Sequence, residues 1–199
     1  DSERKKIPGH ELVNKGHPGV IEIWTLVFIQ YNRLSNGTLV LLPSRHVDTG
    51  MGFERLCMVV QGKKSNYDTD IFQSIINEVS EITGKKYGIS NNRDVAMRVI
   101  ADHIRAIAFS IADGQMPSNN KAGYVIRRIL RRAVRYGYNN LGTEEPFLHR
   151  LVPVLADAMG DAYPDLTKSR HHIARVILEE ETSFLKTLGK GLKLIEKKI

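Results

Sequence analysis

Arg127, Arg128, Arg131, Arg132 and Arg135 lie within AGYVIRRILRRAVRYGY, residues 122–138, a stretch without a single acidic residue. At ~100° per residue on a helix they occupy an arc of roughly 140°, with Tyr124 and Tyr138 inside it. Ile126, Ile129, Leu130, Ala133 and Val134 fill the opposite side, so one face can be buried while the guanidiniums stay wet. Five forked cations side by side suit a polyanion, and nucleic-acid phosphate is the polyanion this geometry favours. A solvated basic face is the plainer alternative.

A second constellation is HVDTGMGFERL, residues 46–56. Gly50 and Gly52 lead into a short predicted helix with Arg55 in its first turn, where the macrodipole opposes a cation. An anion changes that balance: backbone N–H groups freed by the two glycines, together with the Arg55 guanidinium, would hold a triphosphate. Pairing of Arg55 with Asp48 or Glu54 is the local alternative. Asp48, just ahead of the turn, can receive an ammonium group or serve as a turn residue. Three other clusters carry less. Gly-Lys-Lys-Ser at 62–65 lacks the Walker spacing, because Cys57 stands where glycine is required. Asp68 and Asp70 read as helix-start residues rather than magnesium ligands, and Asp102 shares a polar helix face with Arg98, which accounts for it without a catalytic role for Asp102-His103.

These groups need a scaffold, and 199 residues at 42% hydrophobic and 26% charged can build a core. Of the net charge of +7, all but one unit lies in residues 63–199. Cys57 is the sole cysteine, which excludes an internal disulfide and a thiolate-rich zinc site and fits a reducing compartment. No apolar run approaches ~18 residues and the opening is polar, so neither a membrane span nor a secretory signal is expected. The first residue is not methionine and the last helical pattern stops without a cap, so the chain is expected to be a piece truncated at both ends.

Residues 1–19, with Pro8, Gly9, Gly16, Pro18 and Gly19, read as an irregular lead-in. Residues 20–31, VIEIWTLVFIQY, are apolar on both faces, as in a buried central strand. Asn36-Gly37 predicts a hairpin turn into the strand TLVLL, ended by Pro43. Phe53, Leu56 and Val60 share one face of the short helix, and Gly62 stops it. Helices then dominate: 70–82, capped by Asp68 or Thr69; one capped by Asn91 or Asn92 that runs through Met97, Ile100, Ala101, Ile104, Ala108 and Ile111 to Gly114; one near 147–159; and one from about Arg170 onward. In the last, Leu185, Leu188, Leu192, Ile195 and Ile199 form a seam too short for a coiled coil.

EIWTLVFIQYNR, VDTGMGFERL, SNYDTDIF, RVIADHIRAIAFSIADG, PSNNKAGYVIRRILRRAVRYG and MGDAYPDL, in that order, resemble the alanyl-tRNA synthetase family from about Val20 to the C-terminus. The resemblance implies an α+β fold. Residues 1–62 correspond to the C-terminal part of a class II catalytic domain on an antiparallel sheet, with the third signature motif at GMGFERL. Residues 63–199 correspond to a mostly helical domain, truncated, that recognises the tRNA acceptor stem. The implied substrates are ATP, alanine and tRNA(Ala), with Mg2+, in the cytoplasm and away from membranes. Zinc is implied only for an editing domain, to which nothing here corresponds, and no metal ligand is assigned in this chain.

Residue by residue, Asp48 resembles the carboxylate that holds the alanine ammonium group, and Gly50 the small residue that keeps the alanine pocket tight. Arg55 resembles the motif 3 arginine that meets adenine and phosphate, the catalytic contact of this segment, while Gly52 lets the backbone approach the nucleotide. Glu22 falls near ATP or magnesium. Asn119 resembles the asparagine that reads a G·U pair of the acceptor stem; by itself Pro117-Ser118-Asn119-Asn120 is also a turn. Thr25 stands where the family has an alanine-binding asparagine, offering one hydroxyl in place of an amide. Motifs 1 and 2 have no counterpart, and motif 2 supplies the arginine that meets the α-phosphate. The reading is a segment of a family member that activates alanine with ATP and transfers it to tRNA(Ala), inactive by itself. The alternative is a stand-alone, non-catalytic helical RNA-binding module. A helical DNA-binding or phosphoprotein-binding domain explains the arginines but not GMGFER or the hairpin before it.

Overall fold

The computed structural model describes residues 7–17 and 19–196, with side chains to residue 191. Pro18 and Ile199, and the side chains of Leu192 and Ile195, therefore lie outside the described residues. The chain forms two compact units, Asp1–Thr69 and Asp70–Ile199.

In the first unit β1 (Trp24–Arg33) and β2 (Leu39–Met51) form an antiparallel pair, followed by α1 (Phe53–Val60) and a 3-10 turn at Asn66–Asp68. The predicted turn forms at Asn36-Gly37: Gly37 has φ 87°, and its N–H donates to the Leu34 carbonyl at 2.9 Å. A positive φ is strained for residues with a Cβ, hence glycine. Pro43 does not end the second strand as expected. Pairing runs from Trp24↔Met51 to Ile29↔His46, then resumes at Tyr31↔Leu41, and Pro43 sits in the irregularity between, where no ladder N–H is missed. The expected buried central strand is likewise not seen. Every residue of β1 is exposed, Phe28 at 77%, because no further strand or layer covers either face among the described residues. On α1, Phe53, Leu56 and Val60 are exposed too, and Met58 is its buried residue. Gly62, at φ 63°, stops that helix as expected, with Lys63 N–H returning to the Met58 carbonyl at 2.8 Å.

The second unit contains α2 (Asp70–Thr83), α3 (Asn91–Ala112), α4 (Lys121–Tyr136), α5 (Leu151–Met159) and α6 (Pro164–Glu196). The apolar stripe anticipated for α3 is buried throughout, and α3 packs against all four other helices. Its N-cap is Ser90, one residue before the two asparagines expected there. Asp94 fixes the approach by accepting from Gly88 N–H at 2.8 Å. α6 starts at Pro164, earlier than the expected Arg170, since proline at the first helical position gives up no hydrogen bond. Leu166, Ile173, Val176 and Ile177 bury its first half, and Leu185 and Leu188 of the seam are half-buried.

Glu181 is wholly buried on α6, and its Oε2 accepts from Leu148 N–H at 3.0 Å, at the start of the 3-10 turn Leu148–Arg150 that leads into α5. Its Oε1 has no partner. Burial outweighs the backbone donors of Phe147 and Leu148 and pushes its pKa up from 4.5 to about 7. A carboxyl that keeps its proton longer when folded lowers stability as pH rises from its unfolded value to its folded one, here by up to roughly 3 kcal/mol. Half-buried His149, whose pKa partial burial lowers, runs the other way as pH falls. Between pH 5 and 8 the gain in unfolding free energy of Glu181→Gln over the parent chain should therefore grow with pH. A difference independent of pH would refute the account.

Candidate functional site

Antiparallel pairing places three candidate residues of the first unit on one face. Thr25 lies opposite Gly50, and Val27 opposite Asp48, so Thr25, Asp48 and Gly50 project to the same side. Glu22 joins them, its Oε1 accepting from the Thr25 hydroxyl at 2.6 Å. A Cβ built on Gly50 meets nothing within 4 Å, so glycine keeps the space beside Thr25 and Asp48 open. On the opposite face the Trp24 indole N–H donates to the Thr49 hydroxyl, which locks the register.

Arg55 Nη1 donates to the Glu22 carbonyl at 2.7 Å, tying α1 to the segment before β1. A Cβ on Gly52 would lie 3.1 Å from Arg55 Cδ, so glycine there gives the arginine its room. The expectation that both glycines free their N–H groups for an anion is corrected: Gly52 N–H donates to the Ile23 carbonyl at 2.9 Å, and Gly50 is part of the ladder. The hairpin thus gathers Glu22, Thr25, Asp48, Gly50, Gly52 and Arg55 within one local structure.

In the second unit Ile126, Leu130, Ala133 and Val134 of α4 are buried, and Ile129 is half-buried. The five arginines line a groove of about 440 Å³ with Tyr124, Tyr136 and Phe184. Tyr138 is not part of it, because α4 gives way after Tyr136 to a π turn, Gly137–Leu141; Tyr136 instead lies under Arg132 at 5.8 Å.

The face is not purely basic. Glu180 of α6 accepts from Arg127 Nε at 2.8 Å and Nη2 at 2.9 Å, a bidentate pair, and from Arg131 Nη2 at 2.8 Å. Arg131 also stacks over Phe184 at 5.2 Å. Arg128, Arg132 and Arg135 are exposed. Residues 122–138 contain no sign of Glu180, but the periodicity of α6 does. With Ile173, Val176 and Ile177 it recurs at helical spacing, a carboxylate on an apolar stripe that must find a cation.

Asn119 is exposed, and its Oδ1 accepts from Arg127 Nη1. Pro117-Ser118-Asn119-Asn120 is also the turn its composition suggests: Ser118 N–H donates to the Gly123 carbonyl at 2.9 Å, and the Ser118 hydroxyl to the Asn120 carbonyl at 2.9 Å. Gly123, not anticipated as important, permits this, since a Cβ there would fall 2.2 Å from Ser118 Oγ and 2.4 Å from the Met116 carbonyl oxygen.

Elsewhere, Ser65 of the rejected Walker-like stretch accepts from Tyr67 N–H at 3.3 Å. Asp70 Oδ1 accepts from Ile71 N–H at 2.8 Å at the start of α2. Asp102 and His103 do touch, at 3.0 Å, and that bond holds the Asp102 carboxyl below its ordinary range.

The tRNA synthetases class II (A) family matches residues 1–199, and the chain belongs to that family. Within it, the chain is 63% identical over its full length to an alanine–tRNA ligase of Porphyromonas gingivalis, of which it covers 23%. It is 62% identical over 98% of its length to the alanine–tRNA ligase of Bacteroides fragilis, covering 22% of that protein. With that of Christiangramia forsetii it shares 60% over 98% of its length, again covering 22%. The chain thus spans less than a quarter of the curated relatives it matches.

The crowding at Gly123 gives a direct check. Gly123→Ala would gain helix propensity in the open, yet here the new methyl meets a backbone carbonyl that cannot swing away. It should lower stability by roughly 1–3 kcal/mol, as overpacking does, measured by denaturant unfolding. A neutral or stabilising effect would show that the turn is not pinned.

Proposed function

We propose that this chain works as part of an alanine–tRNA ligase, contributing alanine and ATP contacts from residues 1–62 and tRNA acceptor-stem contacts from residues 63–199. The observation that carries the reading is the groove on α4, where three exposed arginines stand beside an exposed, immobilised asparagine. Arg128, Arg132 and Arg135 would grip phosphates, with Tyr124 at the edge for stacking or packing, and Asn119 would meet a base edge at a G·U pair. Arg127 and Arg131 face the same groove with their charge partly offset.

In the first unit Asp48 would take the alanine ammonium group, Thr25 would contact the alanine through its hydroxyl, Gly50 would keep the alanine pocket tight, and Arg55 would meet ATP with Gly52 beside it. Glu22 fits as one carboxylate of the one or two that Mg2+ accepts alongside phosphates. The chemistry on this reading is positioning and charge stabilisation at the α-phosphate. The reading places it in the cytoplasm, and among the described residues no helix is long and apolar enough to cross a membrane. A stand-alone RNA-binding module would leave the gathered hairpin residues without a role.

The test is binding of the chain to an RNA hairpin that reproduces an acceptor stem with a G·U pair. Affinity should fall steeply with salt, and Arg128→Ala with Arg132→Ala should make the slope shallower by about one to two phosphate equivalents. An unchanged slope would reduce the face to solvated charge. For the alanine site, Thr25→Asn in the full-length ligase should lower KM for alanine by about tenfold or more in pyrophosphate exchange, given roughly 1.5–3 kcal/mol for a hydrogen bond to a charged group. An unaltered KM would remove position 25 from the alanine contact.

A further inference from the structure

We infer that Glu180 is a positioning residue for base readout, acting through Arg127 to hold Asn119 with its carbonyl inward and its amino group toward the RNA. The inference rests on the RNA reading above. Arg127 uses all three guanidinium nitrogens: Nε and Nη2 donate to the two oxygens of Glu180 at 2.8 and 2.9 Å, and Nη1 donates to Asn119 Oδ1. A planar fork held at two points has its third nitrogen fixed in direction. The Glu180 side chain is only 10% exposed, so the anchor itself is set by packing.

The orientation of the amide follows. A guanidinium only donates, so the Asn119 oxygen must face it, and both amino hydrogens are left for a partner. Asn119 is therefore a donor toward solvent, and its match is an acceptor on a base edge; G·U and G·C both show a pyrimidine O2 in the shallow RNA minor groove, but wobble pairing displaces the pyrimidine and moves that O2, so a donor held in one direction distinguishes the two pairs by position. Glu180 has a second effect. It withdraws Arg127 and Arg131 from the phosphate-gripping set, since Arg131 Nε and Nη2 reach its Oε1 at 2.9 and 2.8 Å. One carboxylate divides the arginine face into a pair that orients and a trio that grips.

The experiment compares the full 199-residue chain and its Glu180→Gln variant on two hairpins that differ only in G·U or G·C at the recognised pair. The parent chain should prefer G·U. Glu180→Gln should reduce that preference about tenfold, to the level of Asn119→Ala, the usual size of one lost base contact. The double variant should be no worse than Asn119→Ala alone. At the same time the salt dependence of Glu180→Gln on both hairpins should steepen, because released guanidiniums reach phosphate; general loosening of the fold would not produce that. Should Glu180→Gln fail to fold, Arg127→Lys carries the test, since it keeps the charge but loses the fork. Preference retained in the folded variant overturns the relay while leaving the RNA reading intact. A parent chain that binds neither hairpin overturns the RNA reading and the relay with it, whereas one that binds both equally overturns base readout by Asn119 and the relay while leaving the phosphate contacts standing.

Discussion

The helical unit is organised around the problem of keeping five like charges on one side of α4 while burying the other. At close range each guanidinium pair costs on the order of a few kcal/mol at a near-surface dielectric, and no residue of α4 itself can relieve this. Relief comes from α6, which brings the Glu180 carboxylate to two of the five. That placement needs α6 seated along α4 and α3, which is the work of Leu166, Ile173, Val176 and Ile177. The order of dependence is thus burial of an apolar stripe, delivery of one carboxylate, and only then a basic groove of defined shape.

Glu180 and Glu181 show how little residue type says about surroundings. They are consecutive on one helix and point ~100° apart. Glu180 meets two guanidiniums, while Glu181 enters the protein and meets two backbone amides with one oxygen unsatisfied. The first sits between two arginines, whereas desolvation pushes the second toward its neutral form. A single residue of register separates an electrostatic anchor from a capping group.

Local signals were legible where a local cause acts alone. Asn36-Gly37 made its turn and Gly62 its stop because each needs only a positive φ, and the α3 stripe is buried because its period already matches a helix. Pro43 misled because a bulge can absorb a missing N–H, which depends on the partner strand. The apolar run of β1 described what the strand is suited to pack against, not what covers it among the described residues. The grouping of Thr25, Asp48 and Gly50 on one side of the hairpin follows from strand pairing by geometry alone. The link from Asn119 through Arg127 to Glu180 was not, because its last step joins residues 53 apart in sequence.

The bare hairpin has a further consequence. A two-stranded ribbon with Trp24, Leu26, Phe28, Val40 and Val47 exposed, and with no third strand on either edge among the described residues, is a template for strand addition by another copy. Pro43 and the irregular pairing around it blunt one stretch of one edge, and nothing comparable interrupts Trp24 to Ile29. Self-association should therefore begin along β1, rise with concentration, and respond to a charge placed on that edge more than to any change in the helical unit.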